Sequence, residues 1–542
     1  MRLSQLILEF KIQSRLRDFI KCLLLIGLPF NVFMGWQQAS AQEQTRKPNK
    51  HYHSNGAAVG QAKNRAKPNI VFILSDDQSV NSLASLGNTQ IISPNINALA
   101  KQGVTFSHAY NMGGWNGAVC LASRAMFNTG RSLWQAKALE KPQNKATRIK
   151  TTWANQMKAR GYQTYMTGKW HVHIKAEAVF DHVKHVRAGM PQDAWDFPTM
   201  VNHFSDLAKG KYDSYADFMP VGYNRPLSAN DDSWSPTDIR FGGYYEGGTH
   251  WSEVVRDDAI EFIKQASQKE TPFFMYIAFN APHDPRQAPQ AYQDWYAVEQ
   301  IKVPESFLPK YPYQEQIGNG PSLRDSALAP FPRTEFAVQT HIKEYYASIS
   351  HMDKQIGDIL AALNAAKVMD NTYLIFTSDH GLAVGEHGLF GKQNLYEHSV
   401  RAPFIITGPD LDQGVVNDSD IYIQDAMATA LDLAGGKKPE HVFFNSVLPL
   451  ARGQQTESNY PQIYGGYIDL QRMIKQDGYK LIVYPKAQVV RLYHLASDPQ
   501  ELKDLAQQPD YQQKTKDLFK SLMALQAELK DPLDLSNIYQ AL

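Results

Sequence analysis

The sequence predicts an α/β protein: a large mixed, mostly parallel sheet sandwiched by helices, followed by a smaller antiparallel-sheet subdomain. Three observations carry this expectation. From Pro68 onward, short β-rich runs alternate with longer helical patterns, the order that builds a sheet covered on both faces. Several of the runs, Asn69–Ser75 among them, are almost wholly apolar, as a strand buried on both faces requires. Beyond Asn459 the pattern changes to closely spaced strands of period two, which suits antiparallel hairpins.

Residues 1–41 stand outside this fold. Lys11, Arg15, Arg17 and Lys21 precede an apolar run from Cys22 to Met34, and Ala39-Ser40-Ala41 offers small residues for cleavage. The segment reads as a bacterial-type secretory signal peptide. Its apolar run is short for a membrane span, so stable membrane insertion is not expected and a periplasmic or secreted location is. Residues 42–67, polar and basic, read as a disordered lead-in. A large α/β domain is expected over 68–440. Its strands are 69–75, 163–167, 273–280, 373–378 and 403–407, and its helices 93–102, 151–160, 251–268 and 340–366, with another able to start at Ser123. A Gly- and Pro-containing connection over 435–459 leads into an α+β subdomain over 441–542. There, strands are expected at 462–467, 471–475, 479–484 and 489–495, and a helix at 511–529.

Four of the strands end in loops that carry ionisable groups. These are Asp76-Asp77, then Lys169 and His171, then His283, Asp284 and Arg286, and finally Asp379-His380. Ligands of open α/β sheets bind beyond the carboxyl ends of the strands, so the four loops can converge. Each also has a plain local reading, as capping aspartates, a strand end, a loop histidine or a surface ion pair. Lys plus Arg number 55 against 54 for Asp plus Glu, which leaves no global charge to hold nucleic acid. The chain has two cysteines, and Cys22 leaves with the signal segment. Cys120 is then solitary and cannot be a disulfide staple. It follows Gly113, Gly114 and Gly117 and precedes Arg124 at a helix start, where amide donors favour an anion. The alternative is a small buried hydrophobe.

Cys120-Leu-Ala-Ser-Arg124, followed by Thr129-Gly130-Arg131, resembles the maturation signature of type I sulfatases of the alkaline phosphatase superfamily, Cys/Ser-x-Pro/Ala-x-Arg and then Thr-Gly-Arg. Gly168-Lys-Trp-His171 and Tyr396-Glu-His-Ser-Val-Arg-Ala-Pro403 are similar to further stretches of that family. The resemblance extends from Asn69 to about Leu505, with His494 standing where Asp or Asn is commoner. It implies an alkaline-phosphatase-like fold and a sulfuric ester hydrolase in which a maturation enzyme oxidises Cys120 to Cα-formylglycine. The hydrated aldehyde has two hydroxyls on one carbon. One attacks sulfur as the alcohol leaves, and the other collapses to the aldehyde and expels sulfate.

The resemblance also assigns roles. Asp76, Asp77, Asp379 and His380, with the residue at Cys120, become ligands of Ca²⁺ or, second, Mg²⁺, since oxygen donors suit hard cations. Arg124 adds a fixed positive charge. Lys169 and Lys392 hold sulfate oxygens, and alternation along an extended strand would place His171 beside Lys169 to assist sulfate release. His283 is the candidate general acid. Asp284, Arg286, His173 and His387 are the candidate substrate contacts.

Export and an aromatic-rich stretch over 193–251 (Trp195, Phe197, Tyr212, Tyr215, Tyr223, Trp234, Tyr244, Tyr245 and Trp251) fit a sulfated oligosaccharide. Carrageenan, ulvan or fucan fragments and host glycosaminoglycans are favoured over choline sulfate, because no aromatic cage for a quaternary ammonium is legible. The competing readings are a phosphonate or phosphate ester hydrolase of the same superfamily and a glycan-binding protein that never turns over.

Overall fold

The computed structural model describes residues 67–189 and 192–542. The signal segment with Cys22, and the lead-in as far as residue 66, lie outside the described residues. The large sheet has eight strands: β1 (Asn69–Ser75), β2 (Val104–Phe106), β4 (Gln163–Lys169), β5 (His182–Arg187), β6 (Phe273–Ala278), β7 (Thr372–Ser378), β8 (Phe404–Thr407) and β9 (Val415–Asn417). A two-residue strand, β3 (Gly113–Gly114), belongs to the second sheet. The order across the large sheet is β9-β2-β8-β7-β1-β6-β4-β5. Its centre is parallel, while β8 runs antiparallel to both β7 and β2. The expected strands therefore form, with small shifts of their ends.

Strand β1 is buried along its whole length. Its successive side chains feed two different cores: Ile70, Phe72 and Leu74 pack in one, Val71 and Ile73 in the other. Among the helices, α1 (Pro94–Gln102), α5 (Trp251–Ala266) and α6 (Glu335–Ala365) supply apolar residues to the second core. The first core is covered by α2 (Val119–Thr129), α3 (Trp153–Lys158) and α7 (Asp425–Leu433). Helix α4 (Phe197–Ala208) sits with a smaller aromatic cluster. Two expectations change here. The long helix begins at Glu335 rather than 340, because Thr334 caps it by accepting from the Ala337 N–H. The helix expected from Ser123 begins at Val119, which puts Cys120 inside its first turn.

The second sheet is formed by β10 (Ile463–Tyr467), β11 (Gln471–Gln476), β12 (Tyr479–Tyr484) and β13 (Val489–His494), antiparallel throughout, with α8 (Gln512–Leu529) against β11 and β12. Its last strand is β3, parallel to β10 and drawn from just before the cysteine helix. Gly113 has φ +93°, and a Cβ there would lie 2.1 Å from the Gly466 carbonyl oxygen. Only glycine permits this approach. The later sheet thus braces the loop that presents Cys120. Among the described residues no helix is long and apolar enough to cross a membrane.

Candidate active site

Strand register brings the acidic loops together. Ser75 pairs with Ser378, so Asp76 and Asp379 leave adjacent strands side by side. Gly168 pairs with Ala278 on the next strand, and a Cβ at Gly168 would lie 1.9 Å from the Ala278 carbonyl oxygen. That close approach sets Lys169 beside the β6 loop that carries His283. Helix α6 holds the β1 loop from behind: the Tyr345 hydroxyl accepts from the Ser79 N–H and donates to the Asp77 carbonyl, both at 2.8 Å.

Cys120, buried at the start of α2, has Sγ 3.2 Å from His171 Nδ1. One turn later Arg124, wholly buried, donates from Nε to Asp379 Oδ2 at 2.8 Å and lies 3.7 Å from Asp76 Oδ2. Lys169 Nζ contacts the same Asp76 oxygen. Lys392 Nζ donates to both Asp77 oxygens and to His283 Nε2, each at 2.9 Å. Cys120, Lys169, His171, His283 and Lys392 line a shared cavity of about 550 Å³. Asp76, Cys120, Asp379 and His380 form one cluster of converging ligand atoms, and Asp76, Asp77 and His283 an overlapping one.

The charges follow from this packing. Burial would raise the Asp379 carboxyl, but His380, Arg124 and Lys169 pull it well below the ordinary range. Burial drives Asp77 well above that range against the pull of Lys392. Burial, with Lys169 and Arg124 adding to it, pulls His171 down to about 3. Burial and the Lys392 ammonium likewise keep His283 neutral. The His283 Nδ1–H donates to the Asp284 carbonyl at 2.7 Å, which leaves Nε2 to accept from Lys392. In this arrangement the proton between the two groups sits on Lys392, and His283 is its acceptor.

The donor set fits a hard divalent cation. Asp76 Oδ1 is buried without a hydrogen-bond partner. His380 Nδ1 lies 2.8 Å from the Gly381 carbonyl, and its Nε2, also without a hydrogen-bond partner, faces Asp77 Oδ1 at 3.2 Å and Asp379 Oδ1 at 3.6 Å. Orienting an imidazole through its other nitrogen is the usual support for a metal-ligating histidine.

The residues expected to contact substrate are not gathered in the same way. His173 is exposed and pairs with Glu140 at 2.5 Å. His387 stacks on Tyr396 and contacts the Glu501 carbonyl through Nε2 at 3.1 Å. Arg286 is buried against His341 at 2.9 Å, beside a separate small cavity with Tyr223 and Trp234. Asp284 is engaged by Arg324. Strict alternation also fails after Lys169, since β4 ends there and His171 has φ +48°. His171 reaches Cys120 through a left-handed turn rather than an extended strand. Sequence reasoning singled out Phe197 as one of several aromatics but missed Leu323, Arg324 and Asp325, which line the cavity with it. Asp325 Oδ2 lies 3.5 Å from Lys392 Nζ and accepts from Gln393 Nε2 at 2.8 Å. The loop holding residues 323–325 carries no periodicity or motif, and nothing short of the fold places it here.

The chain is similar to known proteins along most of its length. The sulfatase family model matches residues 68–436, and the model described as N-sulphoglucosamine sulphohydrolase, C-terminal, matches residues 385–528. An arylsulfatase of Clostridium perfringens is 28% identical over 478 residues, covering 84% of this chain and 94% of its own. An ulvan-active sulfatase of Formosa agariphila is 24% identical, over 89% of this chain and 85% of its own. A structure solved in complex with D-glucosamine-2-N,6-O-disulfate shares the fold with a TM-score of 0.62 at 20% identity, covering 86% of this chain and 99% of that one. With more than half of its length matched by the family model, the chain belongs to the sulfatase family and is a sulfuric ester hydrolase.

Proposed function

We propose that the protein removes sulfate from a sulfated oligosaccharide, using Cys120 after its oxidation to Cα-formylglycine by a maturation enzyme. One observation carries the reading: Cys120 Sγ lies 3.2 Å from His171 Nδ1 and within the Asp76–Asp379–His380 cluster, in the cavity that also holds Lys169 and Lys392. Asp76, Asp77, Asp379 and His380 would hold Ca²⁺, with Mg²⁺ second, and a bound cation would polarise a sulfuryl oxygen. The matured side chain supplies the paired hydroxyls that attack and release sulfate.

The chain's own groups do the rest. The Lys169 and Lys392 ammoniums, both buried, bind sulfate oxygens where fixed charges act more strongly than in water. Arg124 neutralises Asp379 and keeps the acidic cluster assembled. His171, neutral at working pH, takes a proton at Nδ1 from the group at position 120. The leaving oxygen receives its proton from the Lys392–His283 pair, where the proton starts on Lys392 Nζ. The ulvan-active relative and the neighbour bound to a disulfated glucosamine support a sulfated sugar, with carrageenan, ulvan, fucan or glycosaminoglycan fragments as the class. The basic and apolar leader of the sequence supports export to the periplasm or beyond.

Intact mass of the native protein tests maturation, because exchanging the thiol for an aldehyde removes about 18 Da. The calcium-loaded, matured enzyme should turn over aryl sulfate in preference to aryl phosphate. A preference for phosphate, or an unmodified Cys120 in fully active protein, would sink the proposal.

A further inference from the structure

Of the nine aromatic residues expected to serve a sugar, the structure uses eight for packing. Trp195 and Tyr223 lie against each other at 5.0 Å and Tyr245 against Trp251 at 4.8 Å. Tyr244 meets His250, Tyr212 meets Phe218 and Tyr215 meets Phe331. The Arg225 guanidinium covers Trp234 at 3.8 Å. Phe197 is the exception. Among the described residues no ring stacks on it, it is 61% exposed, and it lines the cavity that holds Cys120, His283 and Lys392.

Single exposed apolar side chains are ordinary, and what sets Phe197 apart is that its open ring lines the reaction cavity. Its backbone is held at several points. Phe197 is the first residue of α4, and Asp196 caps that helix by accepting from the Thr199 N–H at 3.0 Å. The inner side of the helix is fastened by Met200, buried with Trp195 and Tyr223. Asp193 then ties this base to the cavity wall: it accepts from the Tyr223 hydroxyl at 2.6 Å and from Arg324 at 3.2 Å. Arg324 itself lines the Cys120 cavity. An exposed ring is thereby fixed at the border of the reaction cavity instead of being free to fold away.

We propose that Phe197 is a stacking platform for a sugar ring of the substrate, binding the apolar C–H face of the residue that bears the sulfate or its immediate neighbour. The inference rests on the sulfated-carbohydrate reading and adds to it the residue that selects a ring over an open-chain sulfate ester. Anchoring by a preorganised aromatic acts on ground state and transition state alike, so it lowers KM and leaves kcat almost untouched.

The test is steady-state desulfation by matured, calcium-loaded enzyme on defined ulvan, carrageenan and glycosaminoglycan oligosaccharides. Wild type is compared with Phe197→Ala and Phe197→Trp. For the oligosaccharide that wild type desulfates best, Phe197→Ala should raise KM on the order of tenfold, with kcat changed less than about twofold. Phe197→Trp should restore the wild-type KM to within about threefold. A structural role alone would lower kcat and melting temperature together and would not be rescued by tryptophan. An unchanged KM in Phe197→Ala, or a loss that tryptophan fails to repair, overturns the platform while leaving the sulfated-sugar reading intact. Wild type that desulfates aryl sulfate but no oligosaccharide overturns the carbohydrate reading and the platform together.

Discussion

Lys392 joins three acidic or basic partners at one nitrogen: Asp77 at 2.9 Å, His283 at 2.9 Å and Asp325 at 3.5 Å. Burial opposes its charge, but Asp325 and Asp77 outweigh burial and hold the ammonium protonated well beyond the ordinary lysine range. Lys392→Met should therefore lower kcat roughly 100-fold or more on sugar sulfates, the scale of losing an acid and a charge contact together. The loss should be smaller for aryl sulfates with acidic leaving groups, which need less protonation, and a series of substituted phenyl sulfates measures that slope. Cys120→Ser keeps a hydroxyl but lacks the second one that expels sulfate. It should bind sulfated substrate and release at most one equivalent of alcohol, as a single-turnover assay reads directly. Undiminished steady-state turnover would contradict the role assigned to Cys120. The sequence motif named both residues, whereas the direction of the Lys392–His283 hydrogen bond became visible only once the Asp284 carbonyl was seen to occupy His283 Nδ1.

At the level of elements, the sequence disclosed most of what the chain does locally. Apolar runs such as Asn69–Ser75 admit one structure in this context, and the strand ends named the loops that converge. The sequence did not disclose what depends on tertiary contact. The loop just before α2 pairs with Gly466, a residue far along the chain. His173 continues the spacing of Lys169 and His171 but points to Glu140, because the strand stops at Lys169. Helix α7 offers a test of burial itself. Asp425, at its start, accepts from the Tyr460 hydroxyl at 2.5 Å and the Asn445 N–H at 3.0 Å, yet burial raises it to about 7. A carboxyl raised in the folded state favours folding below its unfolded value near 4 and loses that advantage as pH climbs to about 7. Asp425→Asn should accordingly flatten the fall in melting temperature between pH 4 and pH 8. The pH-dependent gain is roughly 2–4 kcal/mol at most. Parallel melting curves for the two proteins across that range would refute it.

On the scale of the whole molecule, the sheet gathers three buried carboxylates at the carboxyl ends of its central strands against two lysines and an arginine. Unfolding releases that crowding, and a cation bound to the folded site opposes it by mass action. At a Ca²⁺ concentration 100 times its Kd the gain is about 2.7 kcal/mol. Removing the cation with a chelator should abolish turnover and lower the melting temperature by a few degrees. Ca²⁺ should restore both better than Zn²⁺, whose preference lies with nitrogen and sulfur donors. Calorimetry and activity on the same samples check this, and indifference of both to chelation would remove the metal assignment.

The pairing of Gly113 with Gly466 has a consequence for how the polypeptide is made. Ribosomes deliver the amino-terminal partner hundreds of residues before its mate. Until that mate emerges, the turn that leads to Cys120 lacks the strand that braces it in the finished fold. Completion of the carboxyl-terminal sheet then closes that side of the turn, so under the proposed maturation of Cys120 an oxidation that needs an open turn would have to finish before this sheet forms.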